Sequence, residues 1–265
     1  MPSRRMVVLG GLGTAGALVV GYALWPSDRL ARADKMAAKA GERFVGTWIK
    51  IAKDDTVTVV VPHCDMGTGI FTALPQMAAE ELDADWGKVR VEAAPADPLF
   101  ANGALAEGFI FAGRHMTRHE IPAFLRGTVD NTFRTIATFM NLQVTGGSSA
   151  VRATGVYGMR IAGAAAREML VKAAAARWNV SSDECATQSN RVIHKPTGKS
   201  FGYGELAAEA AEYTPSSNPQ VKSRSQYTLV GKPIARLDIP NKVNGTTKYG
   251  IDTVVPGMLY GAIKI

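Results

Sequence analysis

A chain of 265 residues with 46% apolar side chains has the composition of a globular protein of one or two domains. Its formal charge of +7 raises nucleic acid or an anionic membrane surface as partners, but the basic residues are scattered among 23 acidic ones and no nucleic-acid recognition motif is present, so nucleic acid is set aside. Cys64 and Cys185 lie far apart without Cys-x-x-Cys spacing, which excludes an iron–sulfur cluster or c-type haem held by this chain; both read as free buried thiols.

At the N-terminus, Arg4 and Arg5 precede an apolar run over residues 6–25 diluted by glycine and alanine. This is the layout of a twin-arginine export signal, with Ala31-Arg32-Ala33 as a small-x-small cleavage site. An uncleaved anchor competes with it, because about 20 apolar residues can span a bilayer and the arginines would hold the N-terminus in the cytoplasm. Residues 1–33 are assigned to this signal or anchor. The expected location is the periplasm or the periplasmic face of the cytoplasmic membrane.

A charged, helix-like linker over 34–43 comes next. The β-branched run 56–61 pairs with 48–51 as a hairpin turned at Lys53-Asp54-Asp55. Helix formers with helical apolar spacing predict a helix over 73–82, and a strand follows over 89–93. The order β-β-α-β points to an α+β layer rather than a doubly wound sheet. Residues 102–143 form a less regular insertion with a helix over 121–140. An alanine-rich helix spans 156–178, a small hairpin uses 184–188 and 191–194, and a helix runs from Gly204 to about Glu212 before Pro215-Ser216-Ser217-Asn218-Pro219 breaks it. The pattern changes near residue 225. Residues 258–265 read as a strand.

Two glycine-bearing turns carry the candidate chemistry. Gly67-Thr68-Gly69 joins the 56–61 strand to the 73–82 helix, and Gly146-Gly147-Ser148-Ser149 precedes the alanine-rich helix. Backbone N–H groups at a helix N-terminus, together with its dipole, can hold an anion such as a phosphate. Serine hydroxyls suit phosphate oxygens, and Arg152 adds a bidentate donor. Plain turn chemistry and helix capping by Ser148 or Ser149 are the competing readings.

Other constellations are weaker. His115 and His119 have a helical ligand spacing with Glu120 adjacent, but no third ligand is evident, and Arg114 and Arg118 oppose a cation. Glu80-Glu81 reads as a solvated face, since adjacent helical side chains point apart. Asp65 is given a structural role in its turn. No nucleophile elbow supports a hydrolase.

The motifs also occur in a recognisable order. Asp65-Met66-Gly67-Thr68-Gly69 is followed by Ala79-Glu80-Glu81-Leu82-Asp83-Ala84-Asp85-Trp86-Gly87, Thr145-Gly146-Gly147-Ser148-Ser149-Ala150-Val151-Arg152, Ser200-Phe201-Gly202-Tyr203-Gly204-Glu205-Leu206, Gly231-Lys232-Pro233 and Arg236-Leu237-Asp238-Ile239-Pro240. In that order they resemble the molybdenum-binding large subunit of the xanthine oxidase family, in its isoquinoline 1-oxidoreductase and membrane-associated aldehyde dehydrogenase branch. The resemblance implies a molybdopterin-binding domain over 34–225 and the start of an α/β hammerhead-like domain over 226–265, both incomplete. It implies a molybdenum–molybdopterin cytosine dinucleotide cofactor contacted by Gly67, Thr68, Gly69, Gly147, Ser148, Ser149 and Arg152, shared with a C-terminal part of the subunit.

The activity implied is oxidation of aldehydes or N-heteroaromatics with water-derived oxygen. Electrons would pass to a small [2Fe-2S] subunit, with a cytochrome c subunit as a further partner. Two departures stand out. The family's Glu-Met-Gly-Gln-Gly turn has Thr68 in place of the glutamine that reaches the cofactor, and the family's catalytic glutamate has no matching position in this chain. The second functional reading is therefore a cofactor-cradle or assembly module that retains the fold without catalysing.

Overall fold

The structure, a computed structural model, describes residues 29–116, 120–140, 142 and 151–264. Its centre is a four-stranded sheet in the order β1 (Glu42–Phe44), β2 (Ile49–Ala52), β3 (Val57–Val61) and β4 (Val89–Ala93). Strands β1, β2 and β3 pair antiparallel, whereas β4 returns parallel to β3, with Val57 opposite Val89. A parallel return needs a crossover, and α2 (Ile70–Leu82) supplies it.

All five residues of β3 are buried, so the sheet is covered on both faces. On one face, Val57, Val59 and Val61 pack with Ile70, Leu74, Leu82, Met169 and Leu170 of α2 and of α5 (Arg160–Trp178). On the other, Val60 joins Ala33 and Phe44 with Leu99 and Phe100. The 34–43 segment is not the linker expected. It divides into helix α1 (Arg29–Ala37) and strand β1, and the Asp34 carboxylate accepts the Phe44 N–H at 2.9 Å.

Lys50 on β2 is fully buried, and its ammonium donates to Glu92 at 2.6 Å, to Glu42 at 3.0 Å and to the Ala37 carbonyl at 3.0 Å. An unpaired buried ammonium would be costly, and this set of acceptors compensates it. Helices α2 and α5 cross where Gly163 removes a side chain. A Cβ there would stand 2.4 Å from the Ala78 carbonyl oxygen.

The insertion is more ordered than the sequence suggested, with α3 (Gly103–Ile110) packed against α4 (Arg126–Phe139). Residues 156–159 belong not to the long α-helix but to a π-helical stretch, Val151–Met159, that leads into α5. Beyond α5, β5 (Cys185–Gln188), β6 (Arg191–His194) and β7 (Ser200–Gly202) form an antiparallel sheet, followed by α6 (Tyr203–Ala210). The buried Tyr203 hydroxyl donates to the Leu82 carbonyl at 2.6 Å and ties α6 to the end of α2.

The expected strand at the far end is absent among the described residues. After the short α7 (Ile239–Val243), residues 258–264 are irregular and Leu259, Tyr260 and Ile263 are exposed; the β-rich sequence has no neighbouring strand to pair with there. No helix among the described residues is long and apolar enough to cross a membrane.

Candidate cofactor-binding site

The Gly67-Thr68-Gly69 loop stands at the N-terminus of α2, at the end of β3. Gly67 and Gly69 have φ of 97° and 79°, the left-handed conformation that glycine adopts without strain. A Cβ at Gly67 would meet nothing within 4 Å, so the loop presents open backbone, with Met66, Gly67 and Thr68 all exposed.

Its N–H groups are not all free for a ligand. Asp65 Oδ1 accepts the N–H of Gly67 at 2.8 Å and that of Gly69 at 3.3 Å, while Oδ2 accepts that of Phe71 at 3.2 Å. The anion-binding corner read from the glycines thus already holds an anion, the carboxylate two residues upstream. The turn role given to Asp65 matches this. What the loop offers outward is the Thr68 side chain and a surface without Cβ atoms at Gly67 and Gly69. Cys64 is exposed beside it rather than buried, and both Cys64 and Cys185 are free thiols.

Arg152 lies at the start of the π-helical stretch, which packs against α2 and α3. It is exposed, and one guanidinium nitrogen donates to the Gly113 carbonyl. Gly155 lets this stretch approach α2, since a Cβ there would lie 2.4 Å from Met77 Sδ. The structure therefore brings the Arg152 segment and the Gly67 loop onto neighbouring elements. Gly147, Ser148 and Ser149 lie outside the described residues, as does His119. His115 stacks on Tyr157 with ring centroids 4.2 Å apart, and its Nε2 lies 2.9 Å from the Ala104 carbonyl oxygen.

Two polar clusters escaped the sequence reading. Beneath the loop, His63 is buried with Nε2 2.7 Å from Thr154 Oγ1, and Asn102 Nδ2 donates to the same hydroxyl at 2.7 Å. This triad joins the end of β3, the start of α3 and the π-helical stretch. Its members are far apart in sequence, and no local spacing signals them.

The second cluster overturns the solvated reading of Glu80 and Glu81: both are buried. Residues 220–238 cross the outer side of α2 as an extended strap. Glu80 Oε2 accepts the consecutive N–H groups of Thr228 at 2.8 Å, Leu229 at 2.6 Å and Val230 at 2.9 Å, and its other oxygen accepts Lys222 Nζ at 2.9 Å. Glu81 accepts Arg160 Nε and the Lys222 N–H, each at 2.7 Å. Burial pushes the Glu80 carboxyl up, but the N–H groups of Val230, Leu229 and Thr228 with Lys222 outweigh it and bring it down to about 2.

Further along the same helix, Gln76 Nε2 donates to the Leu229 carbonyl at 2.6 Å, and Thr72 Oγ1 accepts the Leu237 N–H at 3.0 Å. Positions 72, 76 and 80 share one face at i, i+4, i+8, and this polar stripe binds the main chain of the strap. The strap ends at the loop. Arg236 is bidentate to Asp238, at 3.0 and 2.7 Å, and reaches Asp65 Oδ2 at 3.5 Å and the Gly67 carbonyl at 3.4 Å. The Arg236 hydrogen bonds, with help from Lys242 and against a smaller effect of burial, hold the Asp238 carboxyl well below the usual carboxylate range.

Comparison with known proteins follows the same outline. The molybdopterin cofactor-binding domain family matches residues 18–106, the part that contains the sheet, α2 and the glycine loop. The beta subunit of isoquinoline 1-oxidoreductase from Brevundimonas diminuta is 34% identical over 82% of this chain and 28% of its own length. A membrane-bound aldehyde dehydrogenase [pyrroloquinoline-quinone] of Gluconacetobacter polyoxogenes is 32% identical over 82% of this chain and 23% of its own. A nicotinate dehydrogenase subunit of Pseudomonas putida is 27% identical over 99% of this chain and 18% of its own. The chain belongs to the molybdopterin-binding large subunits of the xanthine oxidase family. It spans about a quarter of the length of the relatives it matches.

Proposed function

We propose that this chain forms the first part of the cofactor cradle of a molybdenum hydroxylase acting on aldehydes or N-heteroaromatics, in an enzyme exported to the periplasmic side of the membrane. The observation that carries the reading is the loop at the α2 N-terminus. It is held in a left-handed conformation by Asp65, lacks Cβ atoms at Gly67 and Gly69, and is open to solvent at Thr68. Such a surface accepts close approach of a flat ring system. The bound molybdenum centre, as its cytosine dinucleotide form, would supply the oxidation chemistry.

This chain's residues would bind and orient. Gly67 and Gly69 provide backbone surface, the Thr68 hydroxyl one donor and acceptor, and Arg152 the guanidinium N–H groups not directed at Gly113. Gly147, Ser148 and Ser149 are proposed to complete the phosphate contacts. The catalytic base and most of the substrate pocket are assigned to the remaining part of the subunit, with electrons leaving to a [2Fe-2S] subunit and a cytochrome c subunit.

An uncleaved N-terminal anchor is favoured over cutting at Ala33. Ala33 lies within α1 and is fully buried against the sheet, so cutting there would require that helix to open. One observation favours the module without catalysis: the Asp65 carboxylate occupies three loop N–H groups that a phosphate could use.

Molybdenum and cytosine-nucleotide analysis separates the two readings, on this chain alone and after co-expression with the remaining subunit segment and the iron–sulfur subunit. The hydroxylase reading expects metal and nucleotide in the co-expressed complex. Their absence from it would leave the assembly-module reading.

A further inference from the structure

The strap reaches from the buried end of α2 to the glycine loop, where Arg236 makes its contacts. Arg236 touches the loop twice, at the Asp65 carboxylate and at the Gly67 carbonyl, while Asp238 fixes the other edge of its guanidinium. Asp65 in turn is the acceptor for the N–H groups of Gly67, Gly69 and Phe71. The chain of contacts is therefore continuous from the strap to every hydrogen bond that Asp65 gives the loop. Gly69 lies against it as well, since a Cβ there would stand 4.0 Å from the Arg236 guanidinium.

We infer that Arg236 is a positioning residue, a latch by which the segment after residue 220 sets the conformation of the glycine loop through Asp65. Arg236 spends its planar fork on Asp238, which holds the guanidinium in place, and the nitrogen so placed stands 3.5 Å from Asp65 Oδ2 as a charge partner for the carboxylate that accepts the loop N–H groups. Without Arg236 the carboxylate would keep the N–H groups but lose its charge partner, the Gly67 carbonyl would lose its donor, and the loop would open more often. Gln76, by contrast, binds the strap at Leu229 and Lys232 without touching the loop, so it loosens the strap alone when removed. The consequence for cofactor retention rests on the function proposed above; the latch itself does not.

Amide hydrogen exchange by mass spectrometry on the full chain tests the latch. Arg236→Ala is expected to speed exchange in peptides covering 65–71 by roughly threefold to tenfold, the range for a partly exposed ion pair with added hydrogen bonds. Arg236→Lys keeps the charge without the fork and should fall between it and the parent. Gln76→Ala should speed exchange over 228–232 and leave 65–71 at the parent rate. Parent-rate exchange at 65–71 in Arg236→Ala, or an equal effect there from Gln76→Ala, overturns the latch. In the co-expressed complex, Arg236→Ala should also lower molybdenum per chain. If the parent complex holds no metal, the proposed function fails, while the exchange result still decides the latch.

Discussion

Glu80→Gln isolates the charge that holds the strap. The side chain is buried, and its carboxylate accepts three consecutive backbone N–H groups and the Lys222 ammonium. Folding lowers its pKa from 4.5 to about 2. At about 1.4 kcal/mol per pH unit, the ionised form therefore contributes about 3 kcal/mol to stability. Because the folded pKa is the lower one, this contribution is fully present above pH 4.5 and is lost as the pH falls toward 2. By about pH 3 more than half of it should be gone.

Glutamine keeps the shape but offers one acceptor oxygen, and it turns its NH₂ toward either the strap N–H groups or Lys222. Urea denaturation of parent and variant should show the parent more stable by about 3 kcal/mol at pH 7, with the difference shrinking to about 1 kcal/mol near pH 3. A difference below about 0.5 kcal/mol at pH 7, or one independent of pH, would refute the assignment of strap docking to this carboxylate.

Three further perturbations test other parts of the structure. Gly163→Ala forces a methyl group to within 2.4 Å of the Ala78 carbonyl oxygen, and thermal unfolding should show a loss of about 2 kcal/mol or more. Lys50→Ala leaves Glu42 and Glu92 without their shared cation and should cost about 3 kcal/mol; in a double-mutant cycle with Glu92→Gln the two losses should be less than additive. Thr68→Gln places a carboxamide at the exposed tip of the loop, and in the co-expressed complex it should raise molybdenum per chain without changing the unfolding midpoint.

The legible parts of the fold were those in which local chemistry and tertiary packing agree. The β-branched run at β3, the helix formers of α2 and the alanine-rich α5 sit where their patterns place them apart from the starts of the two helices, and the glycine turn lies between the first two. The shortest strands were not legible: β1 and β7 are three residues long and are specified by pairing with β2 and β6 rather than by their own sequences. The burial of Glu80 and Glu81 is not legible because the helix rule for adjacent residues ignores a segment arriving from about 140 residues downstream. A usable signal is present in Thr72, Gln76 and Glu80, a polar stripe at i, i+4, i+8 on a helix that is otherwise apolar apart from Glu81. The glycines mark an anion corner, but that Asp65 occupies its donors depends on side-chain direction, which spacing does not give.

If the loop at the α2 N-terminus holds the cofactor, Gly67→Val should empty the site while leaving the fold intact. At φ of 97° a β-branched residue is strained, and because a Cβ there meets nothing within 4 Å its side chain would project into the open face of the loop. Molybdenum per chain in the purified, co-expressed complex should fall at least tenfold, with the amide exchange of β3 and α5 unchanged. Full molybdenum content in a folded Gly67→Val complex would contradict this role for the loop and place the cofactor elsewhere.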